Sequence, residues 1–226
     1  SVEGLSAALS GFAKEGLTTS QILNKLAAVD QSYKVSSADL IAAFERTGAA
    51  ASQAGVSFDE LAGIVTALQT STSRGGAVIG NALKTIFTRL QDVNQLKKLK
   101  NLGIDVEDLK GNILPAREIL QNLANDMQGF SKITQAGIFK DLAGTFQINQ
   151  LISLVGDLAD KNSIAAEATK KSANATNEAY TANERLNQSL DAILNKVSTT
   201  GKQLGSLLGE LGLSDNLKGI LDGLNS

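Results

Sequence analysis

A helix-start signature occurs three times within the first sixty or so residues of this chain. The copies are Leu17-Thr18-x-x-Gln21-Ile22, Val35-Ser36-x-x-Asp39-Leu40 and Val56-Ser57-x-x-Glu60-Leu61. In each copy the hydroxyl can accept a bond from an unpaired N–H of the first turn, and the residue three positions later can reach back to the cap's own N–H. The flanking apolar pair can pack as a staple. The signature therefore predicts a chain built from short helices with well-defined starts.

The composition also favours helices. The 226 residues include one proline and are rich in alanine, leucine, lysine, glutamine and asparagine, which favours helices over strands. Aromatic residues make up 4% of the chain, so we expect a core of Leu, Ile, Val and Ala. The predicted fold class is all-α: short capped helices and helical hairpins, followed by a long C-terminal helix or coiled coil. At most one small β-hairpin is expected, near residues 103–114.

Several kinds of chemistry are absent from the sequence. It contains no cysteine and no histidine, which removes disulfides, thiolate metal sites, cysteine nucleophiles and imidazole bases. A net charge of −2 gives no reason to expect sequence-specific nucleic-acid binding. The sequence contains no run of roughly 18 apolar residues, the length that a membrane-spanning helix needs. We predict no enzymatic activity, no cofactor and no metal site, and we interpret Asp59, Glu60 and Asp105 as helix-start acids.

Residues 35–55 and 56–76 form a weak internal repeat at an offset of 21. Each copy contains a cap, a helix, a polar run and a terminal glycine that could end the helix in a left-handed conformation. Two such units predict an antiparallel helical hairpin; chance similarity of two alanine-rich helices is the alternative. The expected apolar faces are Leu40, Ile41, Phe44 and Leu61, Ile64, Val65, Leu68.

The glycines at residues 75–80 have the spacing of a phosphate-binding loop. However, Asn81 and Ala82 stand where lysine and a hydroxyl residue should follow, and a helix precedes the loop instead of a strand. We therefore predict no nucleotide site here. Apolar residues at helical spacing follow instead, which predicts a helix.

The segment at residues 102–114 interrupts the helical pattern. Alternation around a Lys-Gly-Asn turn predicts a small hairpin, and a fourth capped helix start at residues 104–109 is the alternative. Pro115 suits the first position of a helix that runs to Met127. A further helix is predicted over about residues 131–160. Its weak points or breaks are expected at Gly137, Gly144 and Gly156.

The character of the chain changes after residue 158, because residues 160–184 offer almost nothing to bury. We interpret this stretch as an exposed helix or linker. The predicted divisions are an N-terminal helix or end of a longer segment (1–17), a helical core (18–158), a polar helical linker (159–185) and an amphipathic helical tail (186–226).

The tail contains apolar residues that step by four and three, a heptad pattern. These residues are Leu186, Leu190, Ile193, Val197, Leu204, Leu207 and Leu211, with Thr200 at one polar position. The pattern predicts self-association, with a trimer favoured; packing of one amphipathic helix on the preceding domain is the alternative. Gly201, Gly205 and Gly209 share one face, which would suit close helix packing or a helix lying on a membrane surface.

A series of short blocks occurs in a characteristic order between residues 18 and 158. The blocks are Val56-Ser57-Phe58-Asp59-Glu60-Leu61, Gly75-Gly76, Gly80-Asn81-Ala82-Leu83-Lys84-Thr85-Ile86, Arg89-Leu90, Leu102-Gly103-Ile104, Gly111-Asn112, Ile119-Leu120, Leu123-Ala124, Ile138-Phe139 and Leu142-Ala143-Gly144-Thr145. In this order and spacing the region resembles the core of phage tail tape-measure proteins. Residues 1–16 and those after 160 match that family only in composition.

The resemblance implies a mostly helical polypeptide in the lumen of the tail tube, near the tip, that sets tail length while tube-protein rings polymerise around it. It implies as partners the tail-tube proteins and the tail-tip proteins of the distal tail or baseplate hub, with assembly in the host cytoplasm. It also implies ejection ahead of the DNA and help in crossing the host envelope. Such proteins are much longer than this chain, which also begins without Met, so we expect a segment. The alternative function is that of a membrane-active, pore-forming or interaction protein.

Overall fold

The computed structural model describes residues 11–33 and 35–176. This part of the chain is all-α, as predicted, and its only β pairing is an isolated bridge between Glu107 and Ile113. The predicted C-terminal coiled coil, with its heptad residues and its glycine face, lies outside the described residues. The helices are α1 (Thr19–Tyr33), α2 (Ser37–Gln53), α3 (Phe58–Thr72), α4 (Gly76–Arg89), α5 (Val93–Asn101), α6 (Ala116–Asp126), α7 (Lys132–Ala143), α8 (Ile148–Ala159) and α9 (Ile164–Ala173).

The three predicted helix starts are confirmed as the caps of α1, α2 and α3. Thr18 and Gln21 bond reciprocally, as do Ser57 and Glu60, which makes each pair a complete capping box. At α2 the hydroxyl of Ser36 accepts bonds from the first turn. The carboxylate of Asp39, however, does not return to the cap. It instead accepts a bond of 2.8 Å from the N–H of Gly76, at the start of α4.

The two repeated helices do not form the main pair that a hairpin would require. Helix α2 packs most extensively along α4, and α3 packs most extensively along α9. The expectation of a glycine stop holds for Gly55, which has a positive φ of 72°. It is wrong for Gly76, because α3 ends at Thr72 with Ser73 in the left-handed conformation and Gly76 begins α4.

Buried glycines bring these helix pairs unusually close together. A Cβ added at Gly80 would lie 2.7 Å from the carbonyl oxygen of Ala43 on α2, and one added at Gly76 would overlap the backbone of Asp39. On α3, a Cβ at Gly63 would overlap the Ala165 carbonyl and the Thr169 hydroxyl of α9. Both extensive pairings thus depend on backbone approaching backbone without an intervening side chain.

Three phenylalanines meet at the centre of the N-terminal helices. The rings of Phe12, Phe44 and Phe58 lie with centroids 4.6 to 5.8 Å apart, and all three are buried. The prediction of a core made only of Leu, Ile, Val and Ala is therefore wrong at this point. Low aromatic content did not prevent the few available rings from clustering, since large rings bury much apolar area each.

The C-terminal half of the described region is divided at one of the three glycines that were expected to weaken or break it. The helix expected over residues 131–160 is broken at Gly144, which caps α7 with a φ of 68°. Gly137 and Gly156 lie inside α7 and α8 and do not break them. Pro115 directly precedes α6.

The stretch interpreted as a polar linker contains a buried helix. In α9, Ala165, Ala168 and Ser172 are inaccessible to solvent because they face α3. The expectation that residues 160–184 bury almost nothing is therefore wrong for Ile164–Ala173. Small side chains carry little apolar area, so composition did not reveal a helix that packs by close approach. The other predicted divisions remain predictions.

The α3–α9 contact can be tested by substituting Gly63. We expect Gly63→Ala to lower the free energy of unfolding by about 1–2 kcal/mol, because overpacking typically costs about 1–3 kcal/mol and alanine's helix propensity returns about 0.5–1 kcal/mol. The matched control is Gly137→Ala, since an added Cβ meets nothing within 4 Å there. It should raise stability by about 0.5–1 kcal/mol. Urea unfolding followed by circular dichroism measures both; a gain in both variants would contradict the close contact.

Candidate functional site

The polar side chains of the described region gather at helix ends. In this region no group of three or more Asp, Glu, His or Cys residues is arranged to hold a metal ion. Nor do its helices include one long and apolar enough to cross a bilayer. The candidate sites of this region are therefore of two other kinds, polar contacts between helices and exposed apolar residues.

The densest polar contact joins three helices. The Lys25 ammonium of α1 donates to both carboxylate oxygens of Asp59 on α3, at 2.9 and 3.1 Å, and to the Ser172 carbonyl of α9 at 3.2 Å. The Ser172 hydroxyl donates to Asp59 Oδ1 at 2.5 Å. Side-chain exposure is 11% for Lys25 and 23% for Asp59. This Lys25–Asp59–Ser172 junction fastens the end of α9 to the rest of the body.

Carboxylates from one segment also cap helices of another. Asp30 of α1 accepts from the N–H and hydroxyl of Ser37 at the start of α2. Asp157 of α8 accepts from two backbone N–H groups and the Ser163 hydroxyl at the start of α9. Together with the bond from Gly76 at the start of α4 to Asp39 of α2, these contacts place negative charge at the positive ends of helices, where it is stabilising.

An arginine binds the C-terminal end of α7. Arg89 donates to the carbonyl oxygens of Lys140 and Asp141, at 3.2 and 2.7 Å, where the helix ends at Gly144. A cation at a helix C-terminus satisfies carbonyls that have no partner within the helix. Arg89 thus contacts the end of α7, which is about fifty residues away in sequence.

Burial shifts the pKa of two groups near the α3 start. Burial raises the pKa of the Glu15 carboxyl above its ordinary value, and the negative charge of Asp59 raises it further. The hydrogen bond of 2.9 Å that the Phe58 N–H donates to Glu15 acts in the opposite direction and lowers this pKa. Burial lowers the pKa of Arg117, against the attraction of Glu60 and Asp157. Glu15 accepts from the start of α3, and Arg117 donates to Gln121 of its own helix, an arrangement typical of structural polar contacts.

Several large apolar side chains are exposed. The most exposed are Leu109 at 108%, Phe146 at 90% and Ile133 at 86%. Leu109 lies in the 103–114 turn, and an open apolar groove of about 350 Å³ lies between α5 and α7. Exposed large apolar side chains and open apolar grooves are both typical of contact surfaces between proteins.

Some of the candidate residues predicted from the sequence lie outside the described region, and others lie within it. The heptad residues and Gly201, Gly205 and Gly209 lie outside the described residues. Asp59 does lie in the first turn of its helix, as interpreted, yet its carboxylate also binds Lys25 and Ser172. No local pattern indicates this junction, because Ser172 is 113 residues away.

The described helices α1 to α7 coincide with a family match. Residues 1–144 match the sequence model for phage-related minor tail proteins. The chain belongs to this family. It is therefore a structural component of a phage tail, associated with the virion and in contact with other tail proteins. The match ends at Gly144, the residue that caps α7. No solved structure matches the chain.

The junction should matter more to stability of this tail protein than an exposed ion pair does. We expect Asp59→Asn to lower the free energy of unfolding by about 1.5–3 kcal/mol, because it weakens charged hydrogen bonds and leaves the mostly buried Lys25 ammonium unpaired. The control is Glu167→Gln on α9, whose pair with Lys170 is exposed and should change stability by less than about 0.5 kcal/mol. Urea titration measures the free energy of unfolding of both variants. Equal losses in Asp59→Asn and Glu167→Gln would contradict a stabilising role for the junction.

The raised pKa of Glu15 predicts a pH dependence with a definite sign. A folded-state pKa above the unfolded value means that this group's stabilising contribution is present below the unfolded pKa and is lost as pH rises through the folded pKa. Glu15→Gln removes the ionisation and keeps an oxygen that can accept from Phe58. The difference in free energy of unfolding between the Glu15→Gln variant and the unsubstituted protein should therefore shift in favour of the variant from about pH 4 to about pH 7. Thermal unfolding at both pH values measures this, and a decrease would refute it.

Proposed function

We propose that this chain is a segment of the tape-measure protein of its phage, which sets tail length and templates assembly of the tail tube. The observation that carries the proposal is membership of the minor tail protein family over residues 1–144, combined with the block order over residues 18–158 that resembles tape-measure proteins. The proposed partners are the tail-tube proteins and the distal tail or baseplate hub.

The contacts of the described body support a structural role. Its charged groups bind helix ends and one another, as Asp30, Asp39, Asp157 and Arg89 do. Side chains committed in this way are not free to act as an acid, a base or a nucleophile. We infer that the segment acts through its length and its contacts.

Helical structure suits a ruler. An α-helix rises about 1.5 Å per residue, so the length of a helical chain follows linearly from its number of residues. The absence of Cys, Trp and His and the single proline suit a chain that passes through a narrow tube. A body of packed helices is wider than one helix, about 10–12 Å across, which favours a position in the lumen near the tail tip.

Ejection is the second part of the proposal. The segment would leave the tube ahead of the DNA and contact the host membrane, helping to breach the envelope. The support is the sequence of residues 186–226, in which leucines and the glycines Gly201, Gly205 and Gly209 fall on helical faces. Self-association through the heptad residues, as a trimer, belongs to the same proposal.

Tail length in the phage that encodes this chain tests the proposal. Deletion of residues 11–176 should shorten the tail, by about 250 Å if these residues are drawn out along the tube as continuous helix at about 1.5 Å each. The control is Leu61→Asp, which places a charge in the buried core and unfolds the body without changing the number of residues. Tail length on electron micrographs should stay unchanged in this control.

The two variants separate length from folding. A deletion phage with tails of normal length would contradict a ruler role. Loss of all tails in the deletion phage would place the segment in the initiation of assembly instead. Shortened tails in the Leu61→Asp phage would mean that the folded body, and not the residue count, determines length.

A further inference from the structure

We propose that the turn at residues 103–114 of one copy inserts Leu109 into the groove between α5 and α7 of a second copy. This contact is distinct from the predicted heptad association and does not depend on a ruler function.

The turn presents Leu109 on a firmly held support. Its side chain is 108% exposed, so it contacts nothing in its own copy. The carboxylate of Asp108 accepts bonds from the N–H groups of Lys110 and Asn112 and from the Asn112 side chain, each at 2.8 Å. These hydrogen bonds lower the pKa of Asp108, so the turn stays fastened by an ionised group. A Lys100–Glu107 ion pair of 2.6 Å ties the turn to α5.

The groove offers apolar surface for such a side chain. Its floor is formed by Leu99, Leu102, Ile138 and Leu142, and its volume of about 350 Å³ exceeds that of one leucine side chain. Gly137 lies on its α7 side, where an added Cβ would meet nothing within 4 Å. Leu109 of the same copy does not fill the groove, because it is fully exposed.

The charges around the two surfaces are complementary. Leu109 is flanked by one anion, Asp108, and one cation, Lys110. The groove is bordered by one cation, Lys98, and one anion, Asp141, which bridge α5 and α7 at 2.8 Å and remain 56% and 43% exposed. When the turn docks, the Lys98–Asp141 pair can therefore be replaced by two pairs between the copies, Asp108 with Lys98 and Lys110 with Asp141. Such complementary charges select the partner and its orientation, which favours a second copy as the occupant.

Disulfide cross-linking tests the contact cleanly because the chain has no cysteine of its own. Full-length Leu109→Cys is mixed under oxidising conditions with Gly137→Cys carrying a larger tag, so that the mixed dimer has its own mobility. The control partner is Gly156→Cys, another exposed helical glycine with open space around it. We expect the Gly137→Cys mixture to cross-link at least roughly tenfold faster.

A second measurement does not depend on disulfide geometry. Leu109→Asp should weaken association of the full chain at least roughly tenfold in sedimentation experiments, whereas Phe146→Asp, at another exposed apolar residue, should leave it unchanged. Equal cross-linking to Gly137→Cys and Gly156→Cys, or no cross-linking, would overturn the proposal. So would equal effects of the two aspartate substitutions. None of these outcomes involves tail length, so they are separate from the test of function.

Discussion

The described body depends on the close approach of helix backbones at three glycines. Gly76 and Gly80 let α4 lie directly on α2, and Gly63 lets α9 lie directly on α3. Because α2 and α3 are consecutive, these two pairings join α4 and α9 to the same central helices. A side chain at any of the three positions would separate a pair and disturb the packing of the apolar residues beside it. The Phe12, Phe44 and Phe58 cluster then fills the space between the N-terminal helices.

The residues that carry the family resemblance have structural explanations in this fold. The glycines of the α4 block contact α2, Arg89 binds the carbonyls at the end of α7, and Asn112 fastens the 103–114 turn to Asp108. These residues thus hold neighbouring helices and the 103–114 turn in place. A motif of this kind indicates a scaffold, which agrees with membership of a structural family of the phage tail.

Local signals predicted the local structure well. The caps at Thr18, Ser36 and Ser57 and the break at Gly144 follow from hydrogen bonds within a few residues, which the sequence displays directly. Pairings between distant helices were not predicted, because the α3–α9 contact rests on Gly63 and small residues whose composition resembles that of a linker. The Lys25–Asp59–Ser172 junction was missed for the same reason. One sequence signal does point to the pairing of α4 with α2: Gly76 and Gly80 are four residues apart, a spacing that places both on one helix face.

The position of the junction also has a mechanical consequence. Ser172 is the penultimate residue of α9, so tension transmitted through the chain beyond residue 176 reaches the Asp59 contact before the other contacts of α9. Bonds loaded one after another separate at lower force than bonds loaded together. Under such a pull, helix α9 would therefore lose its C-terminal contacts first.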